Sequence, residues 1–256
     1  MPKIVRYLIV LGAPVLVGVV NVFHPVHMQM TGAYQALAPH MPWWLVLHLI
    51  NLVGFSLLGL AAFLLVNEQA GLAATLSRVC IAVYVPFYIG LDTLAGIGTG
   101  MLIQHGQTLF GDQLRPVEKA IDVLWAGRIT YAFGAIGSIA WSLAMFCAAV
   151  AFTDRSRKIA VAVLSLFAFL AIGWGFSTST FGTFPWWIAV VTIAALGLAL
   201  GRPRGPSALL IVSGVLFGTL HVPPFGPLGM LCFLAAALWL EFGAQMHRST
   251  AHPAVA

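Results

Sequence analysis

Along this chain the apolar residues neither alternate strictly nor mark one stripe of a surface helix; they run in long unbroken blocks separated by short polar or Pro/Gly-rich breaks. A helix that crosses a bilayer needs roughly 20 mostly apolar residues. Blocks of about that length occupy residues 4–22, 43–66, 78–103, 124–152, 159–176 and 185–200. A last apolar stretch, 207–243, is too long for one crossing. It is cut by Pro223-Pro224-Phe225-Gly226-Pro227, where missing amide donors and fixed φ stop a helix. Two short helices joined by that turn bring the number of crossings to eight. The pattern predicts an all-α, polytopic integral membrane helical bundle, with one domain over 1–246 and a short cytoplasmic tail over 247–256.

Composition sharpens this reading. Of 256 residues only 12 are Lys or Arg and 7 are Asp or Glu, so 7% are charged and 61% are apolar; a soluble domain carries about 25% charged residues. Mean hydropathy is +0.98. No water-facing surface can be built from such a chain, which excludes a soluble globular enzyme, a nucleic-acid binder and a disordered segment. The pI of 9.5 is therefore a topology signal. Lys and Arg accumulate in cytoplasmic loops. With the N-terminus inside, nine of the twelve (Lys3, Arg6, Arg78, Arg155, Arg157, Lys158, Arg202, Arg204 and Arg248) fall on the inner side. Arg115, Lys119 and Arg128 fall on the outer side. Merging the last two helices would put Arg248 outside, so eight crossings with both termini cytoplasmic fit better, in a membrane expected to be the bacterial cytoplasmic membrane. Lys3 and Arg6 ahead of an apolar run also resemble a signal peptide, but no small-residue cleavage site follows Val20, and the segment is expected to be retained. Trp43, Trp44, Trp125, Trp174, Trp186 and Trp187 are placed at the outer interface, and Tyr7 and Trp239 at the inner one. Cys80, Cys147 and Cys232, one per helix, read as packing residues rather than a disulfide framework.

Ionisable groups in hydrocarbon are expensive and face protein or a cavity, so each marks a candidate site. Six of the eight histidines, His24, His27, His40, His48, His105 and His221, fall at the outer side of this topology, while His247 and His252 fall in the tail. His48 lies about 7 Å below the outer end of the second helix, with Asn51 one turn further on the same face. Asp92 lies about 16 Å from the outer end of the third helix, near mid-bilayer, and a lone ionised carboxylate there must be paired, hydrogen-bonded or protonated. Tyr84, Tyr88, Asp92 and Gly96 form one i, i+4 stripe. Arg128, expected one turn into the fourth helix, is long enough to descend toward Asp92 as its counter-charge or to anchor an anion. Ser213, Phe217 and His221 share one face of the seventh helix, ahead of the Pro/Gly-interrupted hairpin, and such interruptions point to membrane binding sites.

Local motifs add little. His24-Pro25-Val26-His27 has an H-x-x-H spacing, but Pro25 breaks the helix that would aim both rings together. There is no H-E-x-x-H, no pair of Cys at ligand spacing, no G-x-S-x-G, no P-loop and no dinucleotide fingerprint. No Lys lies in a helix after the fourth where a retinal Schiff base could form. Phe217-Gly-Thr-Leu-His221 resembles the F-x-x-x-H motif of the CAAX-processing and bacteriocin-processing intramembrane proteases. The paired glutamates and the H-x-x-x-N motif of that family have no counterpart here, so the resemblance implies no protease.

The residues point to a polar site in the outer half of the membrane. His24, His48 and His221 are its candidate metal ligands, for a divalent zinc, copper or iron ion or a b-type haem. Asp92, His48 and His221 are its candidate catalytic or proton-carrying groups, and Arg128, Tyr88 and Asn51 its candidate cofactor-binding groups. Its partners would be membrane lipids and a small or lipid-like ligand, with a further subunit in an oligomer or complex and no nucleic acid. Metal-assisted chemistry on a membrane-dissolved substrate is the leading expectation. A proton- or cation-coupled transporter and a non-catalytic subunit or assembly factor are the alternatives.

Overall fold

The computed structural model describes residues 1–26, 32–177 and 205–249, and the fold over them is all-α. Helix α1 spans Lys3–Val22, and a short α2 (Ala33–Leu37) leads through a 3-10 turn (Ala38–His40) into α3 (Met41–Val66). Helix α4 (Leu72–Leu91) continues through a π-helical segment (Asp92–Gly98) into α5 (Thr99–Gly106). Helices α6 (Leu114–Ala126), α7 (Arg128–Ala151) and α8 (Lys158–Ser177) follow, then α9 (Gly205–Thr219) and α10 (Phe225–Ser249).

Among the described residues five stretches are long and apolar enough to cross a membrane: Lys3–Val22, Ala33–Val66, Leu72–Gly106, Gly111–Ala151 and Phe225–Gly243. Their outward faces are apolar as well. On α1, Ile4, Leu8, Val15 and Val19 are exposed, and on α3, Val46, Leu49, Val53 and Leu60, a surface that only a lipid solvent satisfies. The chain is thus a multi-pass integral membrane protein. The expected crossing over 185–200, with Trp186 and Trp187, lies outside the described residues, as do His27, His252, Arg202 and Arg204.

Two boundaries differ from the sequence-based expectation. The fourth block, 124–152, is not one helix: the chain breaks at Gly127, whose ψ of 152° is extended, between α6 and α7. Helix α6 carries Arg115, Glu118, Lys119 and Asp122 and is amphipathic rather than a crossing. The hairpin break is where the prolines place it, but α10 has 25 residues and is no short helix, while α9 has 15.

At the end opposite the hairpin, Arg6 of α1 clamps α10: its Nε and Nη2 donate to Glu241 Oε1 at 3.0 and 2.7 Å, and Nη1 lies 3.5 Å from Glu68. The Glu241 side chain is only 11% exposed, so cutting it leaves a guanidinium with little water to replace it. Glu241→Ala is expected to lower unfolding free energy by about 2 kcal/mol, with Glu241→Gln losing less, as read from detergent-based unfolding curves.

Candidate functional site

At the other end of the bundle, the loops after α1 and α9 and the first turns of α3 converge on the π-helical segment. The break after Val22 frees His24 from helical geometry. Its ring is buried and its Nδ1 donates to the carbonyl of the adjacent Pro25 at 2.7 Å. Because a carbonyl can only accept, the hydrogen is on Nδ1 and the Nε2 lone pair is bare. His48, two turns into α3, is equally buried, and its Nδ1 meets Asp92 Oδ1 at 2.6 Å. Where Asp92 is ionised the hydrogen in that contact belongs to Nδ1, leaving a second bare Nε2. His221, just past α9, keeps part of its surface open to the same space.

The three imidazoles touch. His24 stands edge-on to His48 and to His221, with centroids 5.2 and 5.1 Å apart and planes 88° and 81° to one another.

Asp92 opens the π-helical segment. A π turn widens the helix and removes regular i−4 pairing, and such turns recur at functional sites. Here the freed geometry is used twice. The indole Nε1 of Trp44 donates to the Gly96 carbonyl at 2.8 Å, and the His48 ring packs where a Cβ on residue 96 would lie, its Cε1 only 2.8 Å from that position. Gly96 is therefore required by close approach. Trp44 also packs against His48, tilted by 56° with centroids 4.3 Å apart. Trp44 is fully buried, so its indole packs inside the bundle rather than toward solvent or lipid. Trp44, His48 and Asn51 share one helical face, and that spacing is the signal by which sequence could have placed it.

Beside the rings lies a cavity of about 290 Å³. His24, His48, His221, Asp92, Tyr88 and Trp125 are among its lining residues, with Leu91, Ala95, Gly134 and Ala135 forming an apolar wall. Three buried polar atoms have no hydrogen-bond partner among the described residues here: His24 Nε2, His48 Nε2 and Asp92 Oδ2. Below, Tyr88 stacks on Phe217 and stands edge-on to His221, closing the floor with aromatic packing.

The other candidates fall elsewhere. Arg128 is the first residue of α7, exposed, and neither lines the cavity nor pairs with a carboxylate among the described residues; the partner of Asp92 is His48. Asn51 pairs with Asn21, an amide that the sequence reading missed, by reciprocal bonds of 3.0 and 3.2 Å, so it braces α1 against α3 below the site. His40 and His105 are exposed. Cys80, Cys147 and Cys232 are free thiols in separate helices. Among the described residues no three His, Cys, Asp or Glu side chains form a ready-made metal-binding group; His24 and His48 offer two unpartnered nitrogens, with the third ring in contact. No known family, curated protein or solved structure matches this chain.

Proposed function

We propose that this protein holds a divalent zinc, copper or iron ion within the membrane, beside a chamber for a small lipid-like ligand, and acts there as a metal-dependent enzyme. One observation carries this reading: two buried imidazole Nε2 atoms, each ring fixed through its Nδ1, have no partner among the described residues, and both rings line one cavity. Unpaired buried nitrogens are unfavourable unless something fills the lone pairs, and a carboxylate behind His48 is how metal-binding histidines are oriented and made more basic. A buried carboxylate is in turn costly without a balancing positive charge, which a cation on the far side of His48 supplies. His24 and His48 are the first ligands, and His221 turns in as a third. An ion fits better than haem, because rings already in edge-to-face contact leave no slot for a macrocycle between them.

When bound, the ion would act as a Lewis acid or lower the pKa of a bound water. The chain's own part is to orient His24 through the Pro25 carbonyl, to hold the Nδ1 hydrogen of His48 on Asp92, and to exclude bulk water with Trp44 and the apolar wall. With eight crossings and both termini cytoplasmic, in a bacterial cytoplasmic membrane, the site would open toward the outer leaflet. Elemental analysis and a visible spectrum of the purified protein test the reading: about one metal ion per chain is expected, lost with His48→Ala.

A second reading, a proton- or cation-coupled transporter, is favoured by Tyr84 and Ser213, whose buried hydroxyls also lack partners among the described residues, deeper in the bundle. A metal-free protein that moves protons or cations in liposomes, and stops with Asp92→Asn, would establish it instead. Neither behaviour would leave a non-catalytic subunit of a larger assembly.

A further inference from the structure

Three layers of contact run along the seam between α1 and α3 toward the imidazoles. In the first, Val17 packs on Gly54, where an added Cβ would lie 3.0 Å from Val17 Cγ2. In the second, Asn21 faces Asn51; in the third, His24 faces His48 with ring centroids 5.2 Å apart. Each step is three or four residues on either side, one turn of helix per layer. The register of α1 on α3 therefore sets where His24 stands relative to His48.

The middle layer is the directional one. Asn21 Nδ2 donates to Asn51 Oδ1 at 3.0 Å and to the Val17 carbonyl at 2.8 Å, and Asn51 Nδ2 donates back to Asn21 Oδ1 at 3.2 Å. Both amides are fully buried. A slip of one residue shifts them by about 1.5 Å, which breaks both bonds and leaves desolvated amides unpaired. Apolar side chains in this layer would pack in more than one register, whereas a buried amide between helices singles one out at a cost in stability. Asn21 also carries His24 directly, because the His24 backbone N–H donates to the Asn21 carbonyl at 3.3 Å. The bond from the His24 ring to Pro25 is local and fixes the direction of the ring, not its distance from α3. His48, by contrast, is held separately on Asp92. A further tie between the two helices, from Trp43 Nε1 to the Phe23 carbonyl at 2.8 Å, is exposed, where water competes for it.

We propose that Asn21 and Asn51 are the positioning pair of the imidazole site: their reciprocal bonds hold His24 at the separation from His48 at which one ion meets both Nε2 atoms. The role in metal binding rests on reading the two rings as ligands of one ion; the role in setting their separation does not.

The test measures zinc affinity of the full-length protein in lipid nanodiscs by chelator competition, alongside solid-state NMR of metal-free protein labelled with ¹³C and ¹⁵N in histidine. Asn21→Leu/Asn51→Leu replaces both amides by apolar side chains of similar size, so no unpaired polar group remains and thermal unfolding should stay close to the parent. Zinc should nevertheless bind at least about tenfold more weakly, and the remaining affinity should no longer depend on His24. His24→Ala then weakens the parent strongly but leaves the double-leucine protein unchanged, while His48→Ala abolishes binding in both. Such non-additivity marks positioning of one ligand, which a merely structural pair would not show. The cross-peak between the His24 and His48 rings, present in the metal-free parent, should disappear. Asn51→Ala, which leaves the Asn21 bond to Val17 in place, is the second variant and should move both readouts the same way. Folded variants with parental zinc affinity, an intact cross-peak or a full additional loss on His24→Ala would overturn the proposal, as would unfolding of both, which would make the pair a structural clamp. A cross-peak that depends on the amides in a protein that takes up no zinc would remove the metal reading alone.

Discussion

Adding a single methyl group at Gly96 is expected to lower stability by about 3 kcal/mol and to abolish metal uptake. The new Cβ would overlap the His48 ring, which is buried, packed against Trp44 with centroids 4.3 Å apart and held on Asp92, so it has little room to shift. Overpacking of this kind typically costs about 1–3 kcal/mol, and a displaced His48 also loses its 2.6 Å contact with Asp92, worth about 1.5–3 kcal/mol when one partner is charged. Gly12→Ala is the control: nothing among the described residues lies within 4 Å of a Cβ there, in the exposed face of α1, so the exchange should be neutral or gain up to about 1 kcal/mol of helix propensity. Unfolding in detergent, monitored for both variants alongside zinc content, checks the contrast. Equal effects at the two glycines would mean that the His48 ring does not occupy the space beside the π-helical segment.

Asp92→Asn should separate binding from stability. The amide is nearly isosteric and its oxygen can still accept the Nδ1 hydrogen of His48, so the ring stays in place. The negative charge behind the ligand is lost, and changes to such supporting groups typically weaken metal affinity about 10–100-fold. In metal-free protein the same exchange removes a buried carboxylate whose Oδ2 has no partner among the described residues, so stability should be unchanged or rise by about 1–2 kcal/mol. Competition against a chelator of known zinc affinity measures the first effect, and chelator-treated protein in an unfolding assay the second. A variant that binds zinc as tightly as the parent would show that Asp92 does not act through His48; one that only unfolds more easily would make the pair a structural clamp.

Much of this arrangement was legible from depth alone. Hydrocarbon tolerates so few polar groups that His24, His48, Asp92 and His221 stand out in the sequence, and a rise of about 1.5 Å per residue sets their level along each helix. Direction around the helix is another matter, since it depends on which neighbour packs where. That is why Arg128 looked like the partner of Asp92. It was placed inside a continuous helix, whereas the break at Gly127 puts it at the exposed start of α7, and His48 takes its role from a helix far away in sequence. The pairing of Asn51 with Asn21 was hidden for the same reason. The π-helical segment was not readable either. The contacts that use the widened turn, Trp44 to the Gly96 carbonyl and the His48 ring beside Gly96, come from α3, a tertiary arrangement that no local propensity reports.

X-ray absorption at the zinc edge, on zinc-loaded protein in lipid nanodiscs, examines the imidazole cluster most directly. Coordination by His24 and His48, with His221 turning in, predicts nitrogen neighbours at about 2.0–2.1 Å and the outer-shell scattering of two or three imidazole rings, reduced by one ring in His24→Ala. An all-oxygen shell without imidazole scattering, or a spectrum that His24→Ala leaves unchanged, would contradict it.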